Sequence, residues 1–438
     1  MISSGLFVCV PAHAFLFWNF PKKSENKKIE KIAPESLTLL EAYGLALKKS
    51  ESVALTAEEI NQAQARFYRS FNYFLPSVHF VMDTTYRDAG SGGSSSDTSN
   101  AGRRSTPENR FTFTQPLFSG FREIAALQGS GADKKQQILN WRRAKELLFV
   151  DVMNAYYAYL EAQRNVRALA ATHRLGTNRL RELDRKIKVG RLRDTDKQTS
   201  LADLKLMEAD LLQARSKLSV AKNLFEFYIG ETLGARVLMD DPIPHEVFQG
   251  KDVVVKAKTR SDVAAAEQGY LLAEKRVIVA QANLFPTVSA SGNYYTRRVG
   301  FQSGDDWDVT VEVDVPIFEM GKTLGDIKQA VSTRRSEKLK WEQSDRLASL
   351  DIQNALEDLR WVRLRERALW SAREASKKNY ELVSGDYNKT LVNNLDVLDA
   401  LRRFEEVELD YNAVYFQLKE SYWKLKVAIG EILSPGEQ

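Results

Sequence analysis

Cysteine is nearly absent from this chain. Its 438 residues include a single cysteine, Cys9, and four histidines that lie far apart in the sequence. A disulfide framework and a cysteine-based zinc site are therefore excluded, and no HxxxH or HExxH spacing offers a histidine metal site. Proline and glycine are also sparse, with 11 and 23 residues. So few helix breakers over this length favour long helices.

Charge of one sign does not dominate either. The 63 basic and 58 acidic side chains leave a net charge of +5, with both signs interleaved along the chain. Clusters of Lys and Arg that would neutralise phosphates are missing, so nucleic acid is not an expected partner. Outside the N-terminus, no window approaches the roughly 20 apolar residues of a membrane-spanning helix. Such a helix is therefore not expected in the body of the chain.

The N-terminus departs from this profile. An apolar run over residues 5–10 precedes an A-x-A cleavage pattern at residues 12–14, so residues 1–14 are predicted to be a signal peptide. The positive n-region is missing, which makes the signal atypical or places the true start inside it. Lipidation of Cys9 is the alternative, although Val8 is bulky where a small residue is expected. The polar residues that follow predict a flexible leader over 15–34.

The chain contains an internal repeat. A shift of 200 residues superimposes the two halves without a gap over a long stretch, and self-similarity of this kind indicates duplication. The predicted repeats are residues 35–230 and 260–432, joined by a linker over 231–259 and followed by a tail over 433–438. Matched positions include Pro116 with Pro316, Phe118 with Phe318, Trp141 with Trp341, Asp151 with Asp351 and Asn154 with Asn354.

Each repeat follows the same order of elements. A helical stretch (about 35–74 and 260–284) precedes a β-hairpin (about 76–118 and 286–318). The hairpin segments alternate apolar and polar residues, most clearly where Val309, Val311 and Val313 alternate with Thr310 and Glu312. Such alternation over about ten residues is typical of tilted transmembrane strands around a polar lumen. On the strand pattern alone, a soluble β-sandwich remains an alternative.

Very long helices complete each repeat. No proline interrupts the stretch from about 121 to 188, which corresponds to roughly 100 Å of helix. The returning segments carry apolar residues at spacings of three and four, which predicts a coiled-coil seam. In the first repeat these are Leu204, Met207, Leu211, Ala214, Leu218, Ala221, Phe225 and Tyr228, and in the second Phe404, Val407, Tyr411, Val414, Leu418, Ser421, Leu425 and Ala428.

A single chain cannot close its own sheet. Four membrane strands would leave open edges whose backbone groups have no partner in hydrocarbon, so closure requires more copies. The predicted fold is therefore mainly α with a small membrane β part. Three duplicated chains would form a trimeric α-barrel of long coiled-coil helices, continuous with a 12-stranded transmembrane β-barrel to which each contributes four strands.

This architecture resembles the TolC family of outer-membrane efflux proteins. Three motifs carry the resemblance over nearly the whole mature chain. They are the hairpin-flanking prolines Pro76, Pro116, Pro286 and Pro316, the two helix-to-helix tips at 189–192 and 389–392, and the stretch Leu395-Asp396-Val397-Leu398-Asp399-Ala400 after the second tip. The resemblance implies a passive exit duct, either of a tripartite efflux pump or of type I secretion. It would be a homotrimer in the outer-membrane lipid of a Gram-negative bacterium, with a long periplasmic extension.

The resemblance also implies partners and site residues. The tips would dock a periplasmic adaptor protein, which serves an inner-membrane pump of the RND or ABC type; no cofactor is implied. The tip residues are Val189, Gly190, Arg191, Leu192, Lys389, Thr390, Leu391 and Val392. Asp396 and Asp399 match carboxylate rings of a periplasmic gate, and Asp196 with Tyr387 matches a pair that holds the gate. Two positions depart from the family, because Val392 stands where an arginine is frequent and Thr390 replaces a tip glycine.

Other classes of protein are less consistent with the sequence. A non-transporting periplasmic coiled-coil spacer or surface stalk is the main alternative, but it has no need of four amphipathic strands. A periplasmic adaptor has helical hairpins, but its β-domains are soluble and its chain is not duplicated in this way. An enzyme is least favoured, because no nucleophile–base pair, metal-ligand cluster or phosphate-binding glycine loop is present. The cargo stays open between drugs, metal ions and secreted proteins.

Overall fold

The computed structural model describes residues 36–86, 105–188, 193–243, 259–299 and 304–432. The predicted signal peptide, leader and tail, and part of the predicted linker, lie outside these residues. The helices are α1 (Leu39–Lys49), α2 (Glu51–Ser70), α3 (Arg122–Lys188), α4 (Asp194–Ile229), α5 (Ser261–Gln281), α6 (Met320–Asn388) and α7 (Asn394–Ala428). The strands are β1 (Ser36–Leu37), β2 (Ser77–Tyr86), β3 (Ser105–Ser119), β4 (Val237–Leu238), β5 (Thr287–Arg297) and β6 (Trp307–Asp314).

The first helical stretch is two helices rather than one. Thr38 and Glu41 form a capping box that begins α1. Ser50 then adopts an extended backbone conformation, ending α1, and its side chain accepts a hydrogen bond from the backbone N–H of Val53. A serine that satisfies an orphan N–H in this way starts a new helix, so the chain breaks between α1 and α2.

The long helices are confirmed. α3 spans 67 residues and α6 spans 69, so each is roughly 100 Å long. α4 packs against α3, and α7 against α6. The predicted seam faces these contacts in both repeats, because Met207, Leu211 and Phe225 of α4 are buried, as are Val414 and Leu425 of α7.

The long helices form a row in the order α4–α3–α7–α6. α3 contacts both α4 and α7, whereas α4 and α7 touch at few points. Toward the sheet, α5 packs against both α3 and α6, and α2 packs against α3. α4 and α6 are the outermost helices of this row. Among the described elements, the side of α4 that faces away from α3 has no long-helix neighbour, and the same holds for the side of α6 that faces away from α7, beyond the segment that packs against α5. The row therefore has two free edges.

The hairpins combine into one antiparallel sheet with the strand order β2-β3-β5-β6. Its register aligns an aromatic row across all four strands on one face, made of Phe80, Phe111, Tyr294 and Trp307. The adjacent row on the opposite face is polar and consists of His79, Thr112, Asn293 and Asp308. The predicted alternation is confirmed. β2 and β6 are the edge strands, so the sheet also ends in two free edges.

The largest core lies between the sheet and the helix tips. Tyr43 of α1, Phe149 and Tyr156 of α3, and Phe225 of α4 are all buried there. The short strands β1 and β4 pair in parallel beside them. This core packs against the middle of α3 and against the parts of α4 and α7 that lie far from the tips.

Candidate channel gate at the helix tips

The first tip lies outside the described residues. This applies to Val189, Gly190, Arg191 and Leu192, so the proposed docking role of these four residues stays a prediction. The flanking helix ends are described. α3 finishes with basic side chains, including Lys188, and α4 begins with Asp194 and Asp196. Both arrangements complement the helix dipoles, which favour cations at the C-terminus and anions at the N-terminus.

The second tip is a tight turn that closes α6. The backbone N–H of Thr390 donates to the carbonyl oxygen of Tyr387 at 3.1 Å, and that of Leu391 donates to the carbonyl oxygen of Asp386 at 3.0 Å. This pair of bonds is a Schellman motif, which places its C′ residue in the left-handed region. Thr390 adopts φ +62°, although glycine favours that conformation far more than threonine does.

The apolar side chains of this turn point in two directions. Leu391 is 70% exposed, which is high for a large apolar residue at a turn. Val392 instead packs against a small cluster formed by Leu183, Tyr387 and Val397. Lys389 forms an ion pair with Asp386 at 3.7 Å. The tip therefore presents an apolar side chain beside charged neighbours.

Asp396 has a structural role at the start of α7. Its Oδ2 accepts a hydrogen bond from the backbone N–H of Asn393, and its own N–H donates to Asn393 Oδ1, both at 3.0 Å. The two residues thus form a capping box. The Asp396 carboxylate is nevertheless exposed, and its second oxygen is left for other contacts.

Asp399 lies one turn further along the same exposed face. Its side chain makes no hydrogen bond or ion pair with any residue that the structure describes. Val397, Leu398 and Ala400 are buried on the opposite side of α7, so both aspartates point away from the packed interior. Arg402 and Arg403 follow on the exposed face, and Arg402 forms an ion pair with Asp203 of α4.

The aromatic ring of Tyr387 is buried and contacts two cationic side chains of α3. The side chain is 6% exposed, with the guanidinium carbon of Arg179 at 3.4 Å and the Lys186 ammonium at 4.1 Å from the ring centroid. Among the described residues, no hydrogen bond joins the Tyr387 hydroxyl to Asp196, which lies half-buried in the first turn of α4. The pairing of these two residues therefore stays a prediction.

Arg179 is the central residue that the sequence analysis missed. Its Nε donates to Asn394 Oδ1 at 3.2 Å, and its Nη1 donates to Glu182 Oε2 at 3.1 Å. Asn394 Nδ2 in turn donates to Ser200 Oγ at 2.8 Å. We call Arg179, Tyr387, Asn394 and Ser200 the tip clasp; its members come from α3, α6, α7 and α4. The available signal was position, because Thr172, Gly176, Arg179 and Leu183 fall at seam spacing.

Two ionisable side chains beside the tip clasp, Glu182 and Tyr380, have shifted pKa values. Although burial acts to raise the pKa of Glu182, the hydrogen bond from Lys186 and the positive charges of Arg179 and Lys186 hold it below its ordinary value. Glu182 is thus an anion that partly balances the buried guanidinium. Burial raises the pKa of Tyr380, which lies near Arg179. The Arg179 guanidinium thus lies over the Tyr387 ring and close to the Glu182 carboxylate.

Two kinds of feature are absent from the described part of the chain. No group of three His, Cys, Asp or Glu side chains there is arranged to hold a metal ion. None of the described helices is both long enough and apolar enough to cross a membrane.

Comparison with known proteins agrees with this architecture. The chain is similar to nodulation protein T of Rhizobium leguminosarum bv. viciae, with 26% identity over 180 residues that cover 39% of this chain and 36% of that protein. It is also similar to outer membrane protein OprJ of Pseudomonas aeruginosa, with 23% identity over 274 residues, covering 60% and 56% of the two chains. The matches thus span only about a third to a half of these relatives.

A solved structure extends the likeness to the whole fold. The CmeC outer membrane channel of Campylobacter jejuni superimposes with a TM-score of 0.82 at 16% identity, covering 91% of this chain and 87% of that one. The family model for outer membrane efflux proteins matches residues 42–231 and 256–431, one segment in each repeat. The chain therefore belongs to the outer membrane efflux protein family, the TolC family of outer-membrane channels with a periplasmic helical extension.

Proposed function

We propose that the chain is the passive exit duct of a tripartite efflux pump or type I secretion system. Three copies form the pore, the helix tips dock a periplasmic adaptor, and an inner-membrane pump of the RND or ABC type supplies the cargo. The observation that carries this proposal is geometric. Both the sheet and the row of long helices end in two free edges, and copies of the same chain can join these edges into closed rings.

The free helix edges have the composition of an interface. α4 exposes a set of large apolar side chains, namely Leu206, Leu212, Val220, Leu224 and Phe227. Beyond the segment that packs against α5, α6 exposes a second set, namely Trp361, Leu364 and Trp370. Apolar surface on this scale marks an interaction site. In the proposed trimer, α4 of one copy packs against α6 of the next, and β2 pairs with β6 of the neighbouring copy.

The gate in this proposal lies where α7 begins. Asp396 and Asp399 form two stacked rings, separated by about 4.5 Å along the helix axis. Carboxylate rings in a constriction concentrate cations and bind multivalent cations best. The proposal is supported by the exposure of both side chains, and the ion pair between Arg402 and Asp203 reduces the opposing positive charge on the same face.

Planar bilayer recording tests the gate. We expect the wild-type protein to prefer cations and to be blocked by a trivalent ammine complex added from the periplasmic side. Asp396→Asn combined with Asp399→Asn should lose most of this block and weaken the cation preference. Asp399→Asn alone leaves the Asn393–Asp396 capping box intact, so it distinguishes the effect of losing a carboxylate charge from the effect of losing the helix cap. Glu381→Gln removes an exposed carboxylate from α6 and is the matched control. A trivalent block as tight in the double variant as in wild type would show that Asp396 and Asp399 do not line the constriction.

Docking is tested at the described tip. Leu391→Glu places a charge on the exposed apolar side chain of the turn, so we expect it to abolish export while trimers still assemble. Gly190→Glu is the corresponding change in the first tip. Lys389→Glu, a charge reversal at a position that is already polar, is the control and should retain most export. Export is measured as efflux of a fluorescent pump substrate, and unchanged efflux in Leu391→Glu would argue against docking through this tip.

A further inference from the structure

The tip clasp contains a charge where the neighbouring seam positions of α3 carry small or apolar residues. Thr172, Gly176 and Leu183 are buried at neighbouring seam positions, and Arg179 is buried with them at 8% exposure. A guanidinium is costly to bury unless all of its donors are satisfied. Here Nη2 has no hydrogen-bond partner among the described residues. Packing alone therefore gives no reason for an arginine at this position.

The contacts of Arg179 reach both repeats. Its guanidinium covers the Tyr387 ring on α6, with Cζ at 3.4 Å from the centroid, and its Nε donates to Asn394 on α7 at 3.2 Å. Asn394 passes the connection to Ser200 on α4 at 2.8 Å. One side chain of α3 is thus linked to the tip-proximal ends of the other three long helices.

This position matters because, among the described residues, the two helical hairpins share few other contacts near the tips. The α3–α4 hairpin of the first repeat meets the α6–α7 hairpin of the second mainly along α3 and α7. Among the described residues near the tips, the further connections are the Lys186 ammonium over the Tyr387 ring, the ion pair between Asp203 and Arg402 and the apolar cluster around Tyr387. Separation of the hairpins at this level must break the stacking on Tyr387 and the hydrogen bond to Asn394 together.

We propose that Arg179 is a positioning residue that holds the two hairpins of each protomer together at the tip and thereby sets how readily the gate opens. The proposal rests on the gating function proposed above. In this role Arg179 acts through Tyr387 and Asn394. A planar guanidinium suits this role because it stacks on a ring with its face while it donates from its edge.

Single-channel recording of the purified trimer tests this role. Arg179→Gln removes the stacking and the charge, so we expect open probability to rise at least about fivefold, as loss of a charged hydrogen bond would permit, with the unit conductance of the open pore unchanged. Arg179→Lys keeps the charge without the planar fork and should give an intermediate rise. Arg174→Gln, an exposed arginine on the same helix, is the matched control and should gate like wild type.

Coupling between the members of the clasp distinguishes positioning from general weakening. Tyr387→Leu and Asn394→Ala each remove one partner of Arg179 and should raise open probability in the same direction. Combining either change with Arg179→Gln should add little beyond the single variant, because the contacts act as a unit. Tyr387→Phe retains the ring that Arg179 covers, so it should raise open probability much less than Tyr387→Leu does. If Arg179→Gln fails to assemble, the Tyr387 and Asn394 variants carry the test.

The outcomes separate this inference from the gate itself. Wild-type open probability in Arg179→Gln, or fully additive effects in the double variants, would overturn the role of Arg179. A rise in Tyr387→Phe equal to that in Tyr387→Leu would also overturn it, because the hydroxyl rather than the stacked ring would then hold the gate. The double Asn variant could lose the trivalent block while Arg179→Gln gates like wild type. That result would refute the proposed role of Arg179 and support the carboxylate rings. Absence of any pore in the wild-type protein would refute the proposed function instead.

Discussion

The backbone N–H of Leu391 reaches back across the second tip to the carbonyl oxygen of Asp386, at 3.0 Å. This hydrogen bond ends α6 and turns the chain toward α7. The residue that makes the turn possible is Thr390, whose φ of +62° lies in the left-handed region. A side chain with a Cβ, and a β-branched one in particular, is strained there. The tip thus stores a small amount of conformational energy.

Replacing this threonine should relieve the strain. We expect Thr390→Gly to stabilise the turn by about 1 kcal/mol, because glycine adopts a positive φ without a steric penalty. The change should slow hydrogen–deuterium exchange in the last turn of α6, measured by mass spectrometry. Thr390→Ala keeps the Cβ and is the control. Equal exchange rates in the Gly and Ala variants would show that the left-handed strain is negligible.

An arginine substitution should have different effects on the two faces of the sheet. Val311 and Thr310 are neighbours on β6 with opposite orientations, and Val311 belongs to the face that carries the aromatic row. An arginine that faces lipid costs about 2–4 kcal/mol near the bilayer midplane. We therefore expect Val311→Arg to reduce the yield of outer-membrane trimers, whereas Thr310→Arg leaves it nearly unchanged. Quantitative immunoblotting of membrane fractions measures both, and the reverse order would invert the assignment of the two faces.

The free edge of α4 provides a test of assembly. Leu212 is 57% exposed in the single chain, and in the proposed trimer it faces the neighbouring copy. Leu212→Lys should bury an unpaired charge in that contact and reduce trimer content severely, since removing such a charge from water costs several kcal/mol. Arg215→Glu changes the charge at an exposed position of α4 that lies off the apolar stripe of Leu206, Val220 and Phe227, so it is the control. Analytical ultracentrifugation in detergent measures the outcome, and equal trimer content in the two variants would exclude this face.

The stability of the helical part should depend on pH through Glu405. Burial raises the pKa of this carboxyl group; a hydrogen bond from Thr172 opposes the shift and the charge of Asp210 adds to it. A carboxyl with a raised pKa binds its proton more tightly in the folded state, so its contribution favours folding below the unfolded pKa. That contribution is lost as the pH rises through the folded pKa.

We therefore expect Glu405→Gln to raise the thermal midpoint at neutral pH. The gain should shrink as the pH falls toward 4.5, the ordinary pKa of a glutamate, where the wild-type side chain is protonated as well. Circular dichroism of the trimer at several pH values measures the difference. Glu406→Gln, at an exposed neighbouring position, should change the midpoint little at any pH. A gain that is independent of pH would assign the effect to packing instead.

Periodic features of the molecule were predictable from the sequence. The alternation of Val309, Val311 and Val313 determines which face of β6 is apolar, because side chains in a strand alternate between the two faces. The absence of proline from α3 and the spacing of Met207, Leu211 and Ala214 likewise determine a long helix and its seam. Both patterns depend only on neighbours along the chain, and the structure agrees with both.

Features that depend on distant partners were not predictable. Trp141 and Trp341 hold equivalent positions in the repeats, yet Trp141 lies under the Lys145 ammonium at 3.9 Å, whereas Trp341 stacks on Tyr270 at 5.9 Å. Arg179 belongs to the same class. α3 carries many arginines; seam spacing marks Arg179 as the buried one, but only the approach of α6 and α7 determines what it contacts. The capping role of Asp396 is different, because its partner Asn393 is only three residues away; this local pattern was predictable from the sequence and was missed.

The free edges of the sheet have a genetic consequence. Because one chain cannot complete its own pore, every working duct in the proposed trimer depends on all three copies. A cell that expresses wild-type and tip-damaged chains together would assemble them indiscriminately, since the joining edges are far from the tips. Most of its pores would then contain at least one damaged copy. A tip mutation that leaves β2, β6 and the flanks of α4 and α6 intact should therefore be dominant, whereas a mutation that destroys those edges should be recessive.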